Sequence, residues 1–213
     1  MNVVRYKKDM ADTQDNRTEL LRAIRDEVLV FKELPLYKER IRNRAYPVIG
    51  EGNHYAEIMF IGEAPGRVEA ETGRPFAGPA GKVLDELLAS IGIARKDVYV
   101  TNVVKDRPPQ NRDPLPEEIG LYGLFLDRQI AIIKPKVIVL LGRHSMRYVM
   151  EKFDLSWQIG PISKIHGQVF EGDASYGKVK IIPLFHPAAA LYDPELKQLM
   201  MNDFQKLKEI MRL

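Results

Sequence analysis

The chain of 213 residues contains no cysteine. This absence excludes disulfide bonds and thiolate nucleophiles, and it removes the ligands of cysteine-held zinc and of conventional iron–sulfur clusters. No apolar run approaches the roughly 20 residues that a membrane helix needs. Residues 1–9 also lack the apolar core of a secretion signal. We therefore expect a cytoplasmic protein with no membrane partner.

The remaining composition is that of an ordinary globular protein. Hydrophobic residues make up 45% and charged residues 29%, and the net charge of +3 allows, without requiring, a partner with a phosphate backbone. A chain of this length can bury a continuous core without staples. We expect a monomer with a single domain, residues 1–213, in which residues 1–45 form an N-terminal helical segment packed on the rest.

Four short apolar runs rich in β-branched residues alternate with helical patterns. The runs cover residues 58–61, 98–104, 137–141 and 179–185. Buried strands separated by helices are typical of a parallel sheet with helices on its faces. The sequence thus predicts an α/β fold, a three-layer α/β/α sandwich around a central, mainly parallel four-stranded sheet.

The loop after the first predicted strand, residues 62–81, holds five glycines. So many glycines indicate close approach of the backbone to another group, or repeated positive φ angles. The spacing fits neither a phosphate-binding loop of the GxxxxGK[ST] type nor a dinucleotide fingerprint.

Two further predicted strands end in polar residues. Asn102 ends the second, where its amide can both donate and accept hydrogen bonds, and His186 follows the fourth. Each alone fits a structural role, Asn102 as a turn cap and His186 as a satisfied buried group. Because parallel strands present their carboxyl ends at one edge, three such ends together favour a site there.

Several motifs in these loops together resemble the family 4 uracil-DNA glycosylases. The resemblance runs from about residue 31 to the C-terminus. The motifs are Gly62-Glu63-Ala64-Pro65-Gly66, Gly73-Arg74-Pro75-Phe76, Thr101-Asn102, residues 107–112, and His186-Pro187-Ala188. It implies an enzyme that flips uracil out of single- or double-stranded DNA and hydrolyses its N-glycosidic bond, leaving an abasic site.

The resemblance also implies residue roles in the base pocket. Phe76 would stack on uracil, while Asn102 would bind the uracil edge and reject cytosine. His186 would donate a hydrogen bond to uracil O2 as negative charge develops. The pocket loop would include Gly62 and Ala64, the latter standing where some other uracil glycosylases carry a water-activating aspartate. The other implied catalytic residues are Glu69, beside the base, and Glu63 and Asn111, either of which could position the attacking water.

DNA contacts are implied at five positions. Arg74, Arg107 and Arg112 would contact phosphates, although each could equally be a solvated surface charge. Leu191 would fill the gap left by the flipped base, the alternative being ordinary core packing. Tyr192 stands where the family often has a basic residue.

Members of the family usually hold a four-iron cluster through four cysteines. The matching positions here are Phe31, Leu34, Asp106 and Tyr122. We therefore expect no cluster, no other cofactor and no metal. Phe31, Leu34 and Tyr122 should form an apolar plug instead, with Asp106 facing solvent or paired with an arginine.

Two other functions stay open at this point. Relatives usually have an aspartate at the position of Ala70, so the substrate could be another deaminated base, such as hypoxanthine or xanthine. The missing cluster also leaves room for a module that binds damaged DNA without cleaving it.

Overall fold

A computed structural model describes residues 16–211, in which four parallel strands form the centre of one sheet. Six strands pair in this sheet, in the order β1-β3-β2-β4-β6-β5. Their bounds are β1 Glu51–Gly52, β2 Ile58–Gly62, β3 Tyr99–Asn102, β4 Val137–Leu141, β5 Phe170–Ala174 and β6 Gly177–Leu184. The four predicted strands are the parallel ones, β2, β3, β4 and β6. The mainly parallel α/β sheet is thus confirmed.

The predicted number of four strands is wrong, because both edges carry an extra antiparallel strand. β1 pairs with β3, and β5 pairs with β6. β1 has only two residues, and β5 alternates buried with exposed side chains instead of forming an apolar run. Edge strands of this kind are short and half-solvated, so they contain no continuous apolar run from which they could be predicted.

Helices cover both faces of the sheet, which confirms the three-layer arrangement. Their bounds are α1 Arg17–Val30, α2 Tyr37–Arg42, α3 Arg67–Thr72, α4 Pro79–Ser90, α5 Pro116–Ile133, α6 Arg143–Lys152, α7 Ile162–Ile165 and α8 Pro194–Met211. Alternate residues of β2 show the two faces. Met59 and Ile61 pack in the core beneath α1, α5 and α6, whereas Ile58 and Phe60 pack in the core beneath α4 and α8.

Part of the predicted N-terminal helical segment lies within the described residues. α1 buries Leu21, Ile24 and Val28 in the same core as α5, and Pro35 separates α1 from α2. Residues 1–15 of that segment lie outside the described residues, as do residues 212 and 213. No helix between residues 16 and 211 has the length and apolar character needed to cross a membrane.

Candidate active site at the carboxyl edge of the sheet

The loops after β2, β3 and β6 surround one cavity of about 310 Å³. Gly62 and Asn102 are register partners at the ends of β2 and β3, and His186 follows β6. The cavity is lined by Glu63, Ala64, Pro65, Gly66, Glu69, Phe76, Ala80, Asn102, Pro108, Asn111, Arg112, His186 and Ala188. Three cavities with larger volumes, of about 580, 1170 and 320 Å³, contain none of the predicted site residues. The predicted convergence of the strand ends is therefore found.

Close backbone contacts explain two of the loop's glycines. A Cβ at Gly62 would overlap Asn102 Oδ1 and the Phe76 ring, so only glycine lets these two side chains meet above the end of β2. Phe76 itself takes a left-handed backbone conformation, with φ of 48°. Its carbonyl lies against Gly81, where a Cβ would overlap it. The Phe76 ring stacks 5.6 Å from the His186 ring, centroid to centroid.

Asn102 presents a free amide to this cavity. The residue is 2% exposed, yet among residues 16–211 its side chain makes no hydrogen bond. The polar atoms of this amide are not cut off from the cavity, since among the described residues only the Tyr176 hydroxyl is both fully buried and without a partner. A buried amide that faces an open cavity without a partner is suited to a ligand that pairs with both its oxygen and its nitrogen.

His186 is held as a neutral imidazole. Its Nδ1 accepts a hydrogen bond from the Ala188 backbone N–H at 3.2 Å, so the proton of the neutral ring is on Nε2. Burial lowers the pKa of His186 to about 4, and the nearby charge of Glu69 acts against that shift. At neutral pH the ring therefore has one free donor, Nε2–H, at the cavity wall.

The Glu69 carboxylate is fixed by the start of the next helix. Its Oε1 accepts a hydrogen bond from the Gly78 N–H at 2.8 Å, and Gly78 is the residue immediately before α4. A helix N-terminus favours a negative charge at this place. A Cβ at Gly66 would also crowd Glu69 Oε2. The result is a fixed negative charge on one wall of the cavity.

Glu63 lies in a charged cluster at the cavity rim. His144 Nε2 is 3.7 Å from Glu63 Oε2 and 3.6 Å from Asp113 Oδ2. Burial raises the pKa of Glu63; the charges of His144 and Arg143 oppose that rise and the charge of Asp113 adds to it. One potential ligand atom from each of Glu63, Asp113 and His144 lies within 4.8 Å of the others. However, Arg143 donates to both His144 Nε2 and Asp113 Oδ2, so a guanidinium already stands where a cation would bind.

Asn111 and Arg112 form another part of the cavity wall. Arg107 Nε donates to Asn111 Oδ1 at 2.7 Å, which uses one of the two lone pairs of the amide oxygen. Arg112 makes two hydrogen bonds to Glu118, at 2.9 and 2.6 Å, and Glu118 in turn accepts from the Leu115 N–H at the start of α5. Arg112 lines the cavity, whereas Arg107 lies just outside it.

Comparison with known proteins identifies the family. Residues 49–209 match the family model described as the uracil DNA glycosylase superfamily, which is well over half of the chain. The chain belongs to the uracil-DNA glycosylase superfamily. The matched region contains every strand of the sheet and all residues of the cavity.

Curated relatives place the chain in the type-4 group of this superfamily. It is 51% identical to a type-4 uracil-DNA glycosylase of Archaeoglobus fulgidus, over 76% of this chain and 81% of the relative. It is 44% identical to one of Sulfurisphaera tokodaii, over 89% and 84% respectively. A third, from Thermotoga maritima, is 41% identical over 92% of this chain and 97% of its own length.

Besides Arg107, three of the five predicted DNA contacts, Arg74, Leu191 and Tyr192, do not line the cavity of this superfamily member. Arg74 is paired with Glu51, through bonds of 2.9 and 2.7 Å, and is exposed. Leu191 is half-buried against the core beneath α4 and α8, as the packing alternative for this residue implied. Tyr192 is 95% exposed and projects from the loop after His186. All three remain predictions as DNA-contacting residues.

The positions that match the family's cluster ligands do not fit a cluster, because the chain has no thiolate to offer. Leu34 and Tyr122 are buried and Phe31 is half-buried, with its ring packed edge-on against Phe125 at 6.4 Å. The plug is not purely apolar, however. The Tyr122 hydroxyl donates to Asp106 Oδ2 at 2.6 Å.

Asp106 is paired with an arginine, one of the two expected outcomes, and the expectation of solvent exposure is wrong. It is 1% exposed and accepts two hydrogen bonds from Arg40, at 3.0 and 2.9 Å. Arg40 also donates to the carbonyls of Val28 and Leu29 at the end of α1. A buried polar network of Arg40, Asp106 and Tyr122 thus joins α1, α2 and α5, and it includes two of the four positions that the resemblance matched to cluster ligands.

Sequence reasoning missed two residues near the site. His144 follows β4, so the rule that parallel strands end at one edge would have included it. Lys105 is fully buried behind Asn102, and a lysine three residues beyond a strand gives no sequence signal of burial.

Proposed function

We propose that this protein excises uracil from DNA by hydrolysing the bond between uracil and deoxyribose. The observation that carries the proposal is the cavity itself. It brings an unpaired buried amide, an aromatic ring and a neutral imidazole donor to one space, and these are the groups that reading and releasing a pyrimidine require.

Base recognition is assigned to Asn102 and Phe76. Uracil presents an N3–H donor beside the O4 acceptor, which matches the oxygen and nitrogen of a single amide. Cytosine presents the reverse pattern on its exocyclic amine and N3. Rejection of cytosine therefore requires that the Asn102 amide be held in one orientation, because an amide rotated by 180° would present the reverse pattern and pair with cytosine. Phe76 supplies a stacking surface for the flipped base.

Release of uracil is assigned to His186. As the C1′–N1 bond breaks, its electron pair goes to uracil, and negative charge builds on O2 and N1. The neutral His186 ring, fixed by Ala188, offers its Nε2–H to that oxygen. The sugar meanwhile becomes cationic, and the fixed carboxylate of Glu69 lowers the energy of that charge.

We assign the attacking water to Glu63 in preference to Asn111. Activating a nucleophilic water requires a group that accepts its proton; a carboxylate can do so, whereas the Asn111 amide cannot, and its oxygen already accepts one hydrogen bond from Arg107. Glu63 has a half-buried carboxylate on the cavity wall. The water adds to C1′ and gives its proton to Glu63. The departing uracil anion takes a proton from solvent and Glu63 releases its own to solvent, so the net reaction is hydrolysis.

DNA binding follows from the surface around the cavity. Arg112, which lines the cavity, Arg107, which is bonded to Asn111 of its wall, and the exposed Arg74 are assigned to phosphates. For the wedge that replaces the flipped base, exposed Tyr192 is better placed than Leu191, which is packed on the core.

The test is incubation with oligonucleotides containing uracil, hypoxanthine, xanthine or thymine, followed by alkali, which cleaves abasic sites. We expect cleavage at uracil only. His186→Ala should lower the single-turnover rate by about 10²–10³-fold. The matched control is Lys136→Met, since Lys136 lies at the opposite edge of the sheet in an exposed pair with Glu57. Cleavage at another base instead of uracil, or binding without cleavage, would contradict the proposal.

The single domain, the monomeric state and the cytoplasmic location stay predictions, as does the use of both single- and double-stranded DNA.

A further inference from the structure

Lys105 is a fully buried lysine directly behind the base-reading residue. Its Nζ lies 2.6 Å from the Asn102 carbonyl oxygen, 2.6 Å from Gln129 Oε1 and 2.9 Å from Thr101 Oγ1. No carboxylate among residues 16–211 comes within 4.0 Å of it. A buried cation without a counter-ion is costly, so its retention calls for a specific role.

The three oxygens around Nζ all act as acceptors. The Thr101 hydroxyl gives its proton to the Ile49 carbonyl at 2.6 Å. The Gln129 nitrogen donates to the same carbonyl at 2.9 Å and lies 3.1 Å from the Tyr99 hydroxyl, which fixes the amide with its oxygen toward Lys105. Three acceptors match the three donors of an ammonium, whereas a neutral amine would set its lone pair against one oxygen. Although burial lowers the pKa of Lys105, this arrangement favours the charged form.

The ammonium holds the segment that carries Asn102. It binds the Asn102 carbonyl from one side, while the next two residues are tied to the neighbouring loop: Val103 N–H donates to Gly62 O and Val104 N–H to Glu63 O, each at 3.0 Å. Lys105 therefore fixes the backbone from which the Asn102 side chain projects. The amide has no hydrogen bond of its own within residues 16–211 to keep it oriented.

We propose that Lys105 is a positioning residue for base recognition, whose ammonium, bound to Thr101, Asn102 and Gln129, aims the Asn102 amide into the base cavity. The proposal rests on the proposed function, because it requires that Asn102 read uracil. Lys105 acts through Asn102 and touches neither the base nor the sugar.

The test compares Lys105→Met, which keeps most of the side-chain length but removes the charge, with the exposed control Lys136→Met. The readouts are inhibition by free uracil, single-turnover excision, affinity for DNA with an abasic-site analogue, and near-ultraviolet circular dichroism. In Lys105→Met we expect free-uracil binding and excision to weaken by about tenfold to a hundredfold, the range for a lost hydrogen bond to a charged group. Affinity for abasic DNA should not change.

A double substitution separates positioning from general stability. If Lys105 acts through Asn102, then Asn102→Ala and Asn102→Ala/Lys105→Met should bind free uracil equally weakly, since the two effects share one path. Should Lys105→Met fail to fold, Thr101→Val and Gln129→Met each remove one acceptor, and both should weaken uracil binding in the same direction.

Wild-type uracil affinity in folded Lys105→Met, or in both acceptor variants, would overturn the role of Lys105 but leave the proposed function standing. Additive losses of uracil binding in Asn102→Ala/Lys105→Met would have the same consequence. A wild-type protein that neither binds nor releases uracil would overturn the proposed function, and the role of Lys105 with it.

Discussion

Asp106→Asn tests the buried network of Arg40, Asp106 and Tyr122. The substitution keeps the size of the side chain but removes its charge, leaving the buried Arg40 with neutral acceptors only, namely the carbonyls of Val28 and Leu29 and the asparagine oxygen. The Arg40 and Asp106 side chains are 3% and 1% exposed. Breaking such a pair from one side typically costs about 3–5 kcal/mol, and because asparagine still accepts a hydrogen bond we expect about 3 kcal/mol.

Urea unfolding followed by circular dichroism measures this loss in the free energy of unfolding. In thermal unfolding, each kcal/mol lowers the melting temperature of a domain of this size by about 2–4 °C, so the melting temperature should fall by roughly 6–12 °C. Replacing the whole network, as Arg40→Met/Asp106→Leu/Tyr122→Phe, should be milder than Asp106→Asn, because no unpaired charge remains buried. The control is Glu71→Gln, which breaks the exposed Arg67 pair and should change stability by less than about 1 kcal/mol. If Asp106→Asn were as stable as that control, the network would not be the stabilising element described here.

Three further predictions concern the cavity. The His186 imidazole, followed by NMR, should titrate with a midpoint near 4, as its buried environment requires, and a midpoint at the ordinary 6.5 would contradict its neutral, donor-only role. Burial raises the pKa of Glu63, so as the pH is lowered the rate of excision should begin to fall at a higher pH than an ordinary carboxylate would give. Glu63→Gln should excise uracil slowly and should not show this fall in rate at acidic pH. Gly81→Ala should displace the Phe76 carbonyl and lower the rate of excision. The control is Gly92→Ala, where a Cβ meets nothing within 4 Å, so this variant should lose only the stability that a φ of 76° costs. Equal excision rates in the two variants would refute the close-contact explanation.

The four parallel strands and the place where their ends meet could be predicted from sequence, because local residue patterns determine them. β-branched runs located the four parallel strands, and the rule for strand ends brought Gly62, Asn102 and His186 together before any coordinates. The roles of Phe76 and Glu69, in contrast, came from resemblance, because nothing in their local pattern marks them.

Features that depend on distant partners could not be predicted. Asp106 meets Arg40 across 66 residues of sequence, and its burial depends on that meeting. Lys105 likewise meets one of its three acceptors, Gln129 Oε1, across 24 residues of sequence. Composition assigns charged residues to the surface, so each buried charge here depends on a tertiary contact. The edge strands β1 and β5 were missed for a related reason, since pairing with β3 and β6 defines them more than their residues do.

The most direct test of the account measures iron and uracil excision in the same preparation. Purified protein is assayed for metal content and is then mixed in excess with a uracil-containing oligonucleotide, with free uracil and abasic sites quantified together. We expect equal amounts of uracil and abasic product from protein that contains no stoichiometric iron, and loss of both products in His186→Ala. Absence of uracil release, or release that requires bound iron, would contradict the account.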